Sequence, residues 1–169
     1  MDYCRVKAGR NERWYLTDES FAKALKHCRW QVYLGALADV TALAEAWLRP
    51  HVAGSAARLA ERLAQGHAAI LQDESPPSEE MDAVRNAIEA LPLHLARLQL
   101  AAPYLAHRLP LLAEAPLLAT LPIHPDQRRG EEVAITGALR FHIVSTQQEM
   151  ERGFAPETLG PNLVAEAAG

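Results

Sequence analysis

Residues 81–109 read MDAVRNAIEALPLHLARLQLAAPYLAHRL, and the spacing of their apolar side chains decides the fold. The apolar positions repeat every three or four residues: Met81, Val84, Ile88, Leu91, Leu95, Leu98, Ala102, Leu105 and Leu109. This spacing places them on one stripe of a helix, where they become buried only by packing against other helices. The stripe therefore predicts a protein held together by helix–helix contacts, and it indicates nothing about chemistry.

Two prolines complicate this stretch. Pro92 and Pro103 lie beside the stripe rather than on it. Each proline removes a backbone N–H donor and clashes with the preceding helical turn. We therefore expect two or three helical pieces that share an approximate common face, not one straight helix from 79 to 109.

The composition supports a mainly α protein. The 169 residues include 31 Ala and 24 Leu, both strong helix formers, whereas aromatic residues make up only 6%. A chain of this length suits one domain, which we place at residues 1–169. We predict an irregular bundle of about four helices with an aliphatic core.

Two further helices are predicted upstream of the stripe. Phe21, Leu25 and Cys28 begin a helical repeat that predicts one long helix over 18–49, weakened and bent near Gly35. A second amphipathic pattern predicts a helix over 51–72. The segment 73–78, which contains two consecutive prolines, separates it from the stripe.

Three segments show less regular patterns. Residues 1–16 predict either a short β-hairpin or an irregular arm. Prolines at six-residue intervals predict an irregular segment over 110–130, and residues 154–169 predict a loosely held tail.

Residues 131–152 fit two structures. Leu139, Phe141 and Ile143 alternate with polar residues as in a strand, whereas Ile135, Leu139 and Ile143 also lie at helical spacing. The pattern leaves helix and strand open. We favour a helix because residues 145–152 are polar and compatible with one.

Charge and cysteine content bear on partners and location. The formal net charge is −4, but residues 1–30 contain more basic than acidic side chains, which is ordinary for a solvated surface. Two cysteines do not make a disulfide framework, and no apolar window reaches the length of a membrane span. We expect a cytoplasmic protein that does not enter a membrane.

The sequence contains no strong pattern for catalysis or for cofactor binding. The seven histidines are never closer together than 13 residues, and no acidic residue precedes a histidine by three positions. The serines and cysteines lack a nucleophile context, and no glycine-rich phosphate loop is present. We therefore expect no catalytic residue, metal or cofactor, although an enzyme with an unrecognised site stays an alternative.

A degenerate helix–turn–helix over 41–65 gives a second functional hypothesis. Its second helix would present Ser55, Arg58 and Arg62 to nucleic acid. The turn is longer than usual and contains Pro50, and Ala56 and Ala57 offer no hydrogen bonds at the recognition positions.

The leading hypothesis is a non-enzymatic helical interaction protein, an accessory subunit or adaptor of a larger assembly, or a homo-oligomer. This hypothesis rests on the length of the apolar stripe, which presents more apolar surface than a monomer of this size easily buries. Leu95, Leu98, Leu105 and Leu109 are the candidate residues facing a protein partner or a second copy. The runner-up is a DNA-associated regulator that uses the 41–65 region.

Overall fold

The computed structural model describes residues 18–123, 130 and 132–165. Within these ranges the chain is mainly helical, as predicted, and contains no strand. The described ranges contain six α-helices: α1 (Glu19–Leu48), α2 (Ala56–Asp73), α3 (Met81–Leu98), α4 (Glu114–Thr120), α5 (Glu132–Gly153) and α6 (Pro156–Ala165). Short 3₁₀ turns lie at Arg49–His51, Ser78–Glu80 and Ala106–Arg108. The predicted hairpin or arm at 1–16 lies outside the described residues.

The long helix α1 is the centre of the fold. It begins after Asp18, whose carboxylate accepts the backbone N–H groups of Ser20 and Phe21 at 2.9 and 3.3 Å. It then runs without a break to Leu48 and packs against each of the other five helices. The predicted helix over 18–49 is therefore confirmed, and the rest of the bundle is arranged around it.

The apolar stripe of 81–109 lies mostly in the core. Leu91, Leu95 and Leu98 are buried on one side of α3, and Leu109 joins the same cluster from the following segment. Helix α3 continues through Pro92 and ends at Leu98, five residues before Pro103. The expected interruption at Pro92 is absent, because the buried leucines on both sides of it hold the helix in place.

The segments after Pro110 are more helical than the sequence predicts, which raises the number of helices above the expected four. Residues 114–120 form α4, because Pro116 lies in the first turn, where a missing N–H costs nothing. Residues 156–165 form α6 instead of a loose tail, because Gly160 packs against Val52 and the Leu48 carbonyl. Residues 132–153 are helical, which decides between the two structures left open by the sequence.

One close contact joins α1 to the segment before α4. A Cβ added at Gly35 would lie 2.5 Å from Ala113 Cα, so only glycine fits here without a shift. One turn further along α1, the buried carboxylate of Asp39 accepts the backbone N–H groups of Leu112 and Ala113 at 2.6 and 3.1 Å. Gly35 is thus a packing contact and not a weak point of the helix.

This contact predicts opposite effects for two matched glycine substitutions. Gly35→Ala should lower the free energy of unfolding by about 1 to 3 kcal/mol, because the added methyl group overpacks the site. Gly66→Ala in α2, where a Cβ meets nothing within 4 Å, should raise it by about 0.5 to 1 kcal/mol. Urea unfolding of both variants measures the difference, and equal gains at the two positions would contradict the contact.

Candidate functional site

A half-open cleft lies between α1, α4 and α5. Its volume is about 680 Å³, which lies within the range of small-molecule sites. The buried side chains of Cys28, Leu121 and Ile135 form one cluster at its floor. Val32 and Leu139 extend the apolar lining on the α1 and α5 walls. We call this concavity the α1–α5 cleft.

Polar groups of the α1–α5 cleft lie at its rim. Lys26 and Arg29 are exposed and lie three residues apart on α1, so they are neighbours on one helix face. At the other end, the Tyr33 hydroxyl donates to Glu74 Oε1 at 3.1 Å. Burial and the Glu74 carboxylate both raise the pKa of Tyr33. The Trp30 ring stands edge-on to the Tyr33 ring, with centroids 5.7 Å apart.

Helix α5 also carries an apolar outer face. Val133, Gly137 and Phe141 lie four residues apart and therefore share that face. Val133 is 82% exposed and Phe141 is 69% exposed, and a Cβ at Gly137 would meet nothing within 4 Å. We call these three residues the α5 ridge. It is uncharged, open and adjacent to the cleft.

Two buried carboxylates join helices to one another. Glu45 Oε1 accepts the Gln99 amide at 2.8 Å and lies 3.1 Å from Arg49 Nε. Glu80 accepts the Gln31 amide at 2.9 Å, and its other oxygen lies 2.6 Å from His27 Nδ1. The contacts of Glu80 link α1 to the turn before α3, and Gln99 joins α1 to the end of α3.

The third buried carboxylate, Asp39, binds two backbone N–H groups. Burial raises the pKa of Asp39, whereas its two backbone hydrogen bonds and the charge of Arg140 act in the opposite direction. The Arg140 guanidinium is itself bonded to the carbonyls of Ala106 and Leu109. Both side chains therefore fix the chain between α3 and α4. Among the described ranges, no three His, Cys, Asp or Glu residues lie close enough to hold a metal ion.

His67 is buried on α2, and its Nδ1 lies 3.3 Å from Thr41 Oγ1. The Thr41 hydroxyl donates its one hydrogen bond to the Leu37 carbonyl. It can therefore only accept a hydrogen bond from the Nδ1–H group of His67. Burial lowers the pKa of His67. Burial also lowers the pKa of His94 on α3, and the nearby positive charge of Arg97 adds to the effect. Burial therefore favours the neutral form of both imidazoles.

The leucines predicted to face a partner fall into two groups. Leu95, Leu98 and Leu109 are buried in the largest core cluster, so within this chain they form core and not an exposed surface. Leu105 lies on a non-helical segment and is 56% exposed. Of the four, Leu105 is the residue that a partner can reach without unfolding.

The residues predicted to contact nucleic acid lie at and after the start of α2. Ser55 precedes the helix, and its side chain makes no capping hydrogen bond. Arg58 is exposed, and Arg62 is half-buried and donates to Gln65 Oε1 at 3.0 Å. Helix α6 packs beside this region through Leu159 and Leu163. The nucleic-acid role stays a prediction.

No protein-family model matches the chain, and no similar curated protein or solved structure was found. The geometry of the site therefore carries the functional argument alone. Among the described helices, none combines the length and the apolar character needed to cross a membrane.

Sequence reasoning missed both the α1–α5 cleft and the α5 ridge. The only available signal was the spacing of Val133, Gly137 and Phe141, which becomes informative once 132–153 is known to be helical. The cleft has no local signal, because its walls come from segments separated by about a hundred residues.

The buried His67 and the half-buried His94 predict a pH-dependent stability. A histidine whose pKa is lowered in the folded state binds more protons when the chain is unfolded. Its contribution to the free energy of unfolding is therefore fully present above about pH 6.5 and is lost as the pH falls towards the folded pKa. Each histidine contributes a slope of at most about 1.4 kcal/mol per pH unit. Urea unfolding between pH 8 and 5.5 should show that the free energy of unfolding decreases as the pH is lowered.

Two substitutions separate the contributions to this slope. His67→Leu and His94→Leu should each make the dependence shallower, and the double variant should be shallower than either. A slope that is unchanged in the double variant would show that other groups cause it.

Proposed function

We propose that this chain is a non-enzymatic helical interaction protein, an accessory subunit or adaptor, and that it binds through the α5 ridge. The exposure of Phe141 carries the proposal. Phe141 is 69% exposed and shares a helix face with Val133, which is 82% exposed, so a partner that covered this face would remove apolar surface from water. Aromatic side chains of this kind are typical anchors of protein interfaces.

The arrangement of the α5 ridge favours a second copy of the chain as the partner. Val133 and Phe141 lie at equal distances along the helix on either side of Gly137. In an antiparallel pair of α5 helices centred on Gly137, Val133 of each copy faces Phe141 of the other, which is the reciprocal pattern of a two-fold interface. Gly137 has no side chain to keep the helices apart, and the ridge brings no like charges together.

The charge variant Phe141→Glu tests this proposal. Light scattering coupled to size exclusion should give the mass of a dimer for the unaltered chain, and the mass of a monomer for Phe141→Glu. The variant should remain folded, because the side chain it replaces lies largely outside the core. Far-UV circular dichroism checks that the helices are retained.

Phe154→Glu is the matched control. Phe154 is 58% exposed but follows the end of α5, so it lies outside the ridge. This variant should remain a dimer. The proposal fails if the unaltered chain is a monomer at high concentration, or if both variants dissociate equally.

A further inference from the structure

We propose that the α1–α5 cleft binds a small organic anion with an apolar body and one carboxylate group. This inference goes beyond the proposed function, because the cleft opens beside the α5 ridge and uses other residues. Its support comes from the lining, the placement of charge and the dimensions of the cleft.

The lining fits an apolar body. Val32 and Tyr33 from α1, Leu117 from α4, and Ile135 and Leu139 from α5 surround the cleft. Ala134 and Ala138 leave space on the α5 wall, since their side chains are small and exposed. An apolar molecule in this position would cover surface that is otherwise in contact with water.

The charges at the rim fit a single carboxylate. Lys26 and Arg29 present two cations along the first half of the α1 wall. The carboxylate there, Glu74, is bonded to the Tyr33 hydroxyl, about one to two helical turns further along α1. A ligand anion would therefore meet Lys26 and Arg29, with its apolar part directed towards Tyr33. A cationic ligand would meet repulsion from Lys26 and Arg29.

The dimensions favour a free small molecule over a protein helix or a membrane surface. The walls run from Leu25 to Tyr33 on α1 and from Ala134 to His142 on α5, which corresponds to about 12 Å along each helix. A half-open volume of about 680 Å³ suits one compact ligand. A saturated monocarboxylate of medium chain length has the required shape and charge.

Calorimetric titration with octanoate, nonanoate and decanoate, each below its micelle concentration, tests the proposal. Each added methylene buried in the cleft should tighten binding by roughly fourfold, from the transfer free energy of a CH₂ group. Nonyltrimethylammonium and decyltrimethylammonium, which have apolar chains of the same length or one carbon longer and the opposite charge, should bind at least tenfold more weakly than decanoate. Absence of decanoate binding, or equal binding of the cation, would overturn the proposal.

Variants then locate the binding. Ala138→Trp should fill the cleft from its exposed wall and abolish decanoate binding. Lys26→Glu with Arg29→Glu should weaken decanoate at least tenfold and improve decyltrimethylammonium binding. The matched control is Lys23→Glu with Arg58→Glu, which makes the same charge change at two exposed positions that do not line the cleft.

The control double variant should bind decanoate within about twofold of the unaltered chain. An equal loss in the control and in Lys26→Glu with Arg29→Glu would show a general effect of net charge and would overturn the proposed site. Should Ala138→Trp fail to fold, the charge-reversal pair still decides the outcome, because both of its positions are exposed.

Discussion

The contact between α1 and the backbone before α4 is the constraint on which the arrangement of the candidate site depends. Gly35 lets the chain approach α1 closely, and the Asp39 carboxylate accepts the N–H groups of the two residues that precede α4. Burying a carboxylate is costly, and these hydrogen bonds offset the cost only in one geometry. The contact therefore fixes α4 beside α1, and α4 forms part of the cleft.

The other buried polar groups act in the same way. Glu45, Glu80 and His67 are each bonded to a side chain more than twenty residues away in the sequence. Apolar packing between alanine- and leucine-rich helices allows several arrangements of similar energy, whereas directional hydrogen bonds distinguish among them. These ionisable groups therefore join helices to one another.

Helix α5 links the two functional proposals. Its inner side packs through Ile135 and Ile143, one flank lines the α1–α5 cleft, and its outer side is the α5 ridge. A ligand in the cleft would therefore contact the same helix that we propose to pair with a second copy. Helix α5 has two buried residues, and occupation of either surface would add to the apolar contacts that hold it in place.

The sequence by itself determined the helical class, the long helix over 18–49 and the shared helical face of Leu91, Leu95 and Leu98, because helical periodicity is a local property of the chain. It did not determine the helix at 156–165, the role of Gly35 or the two surfaces of α5. Those features depend on contacts between distant segments, such as Gly160 against Val52 and Gly35 against Ala113. Only tertiary packing decides which apolar positions are covered, since spacing gives a residue's helical face but not its neighbour.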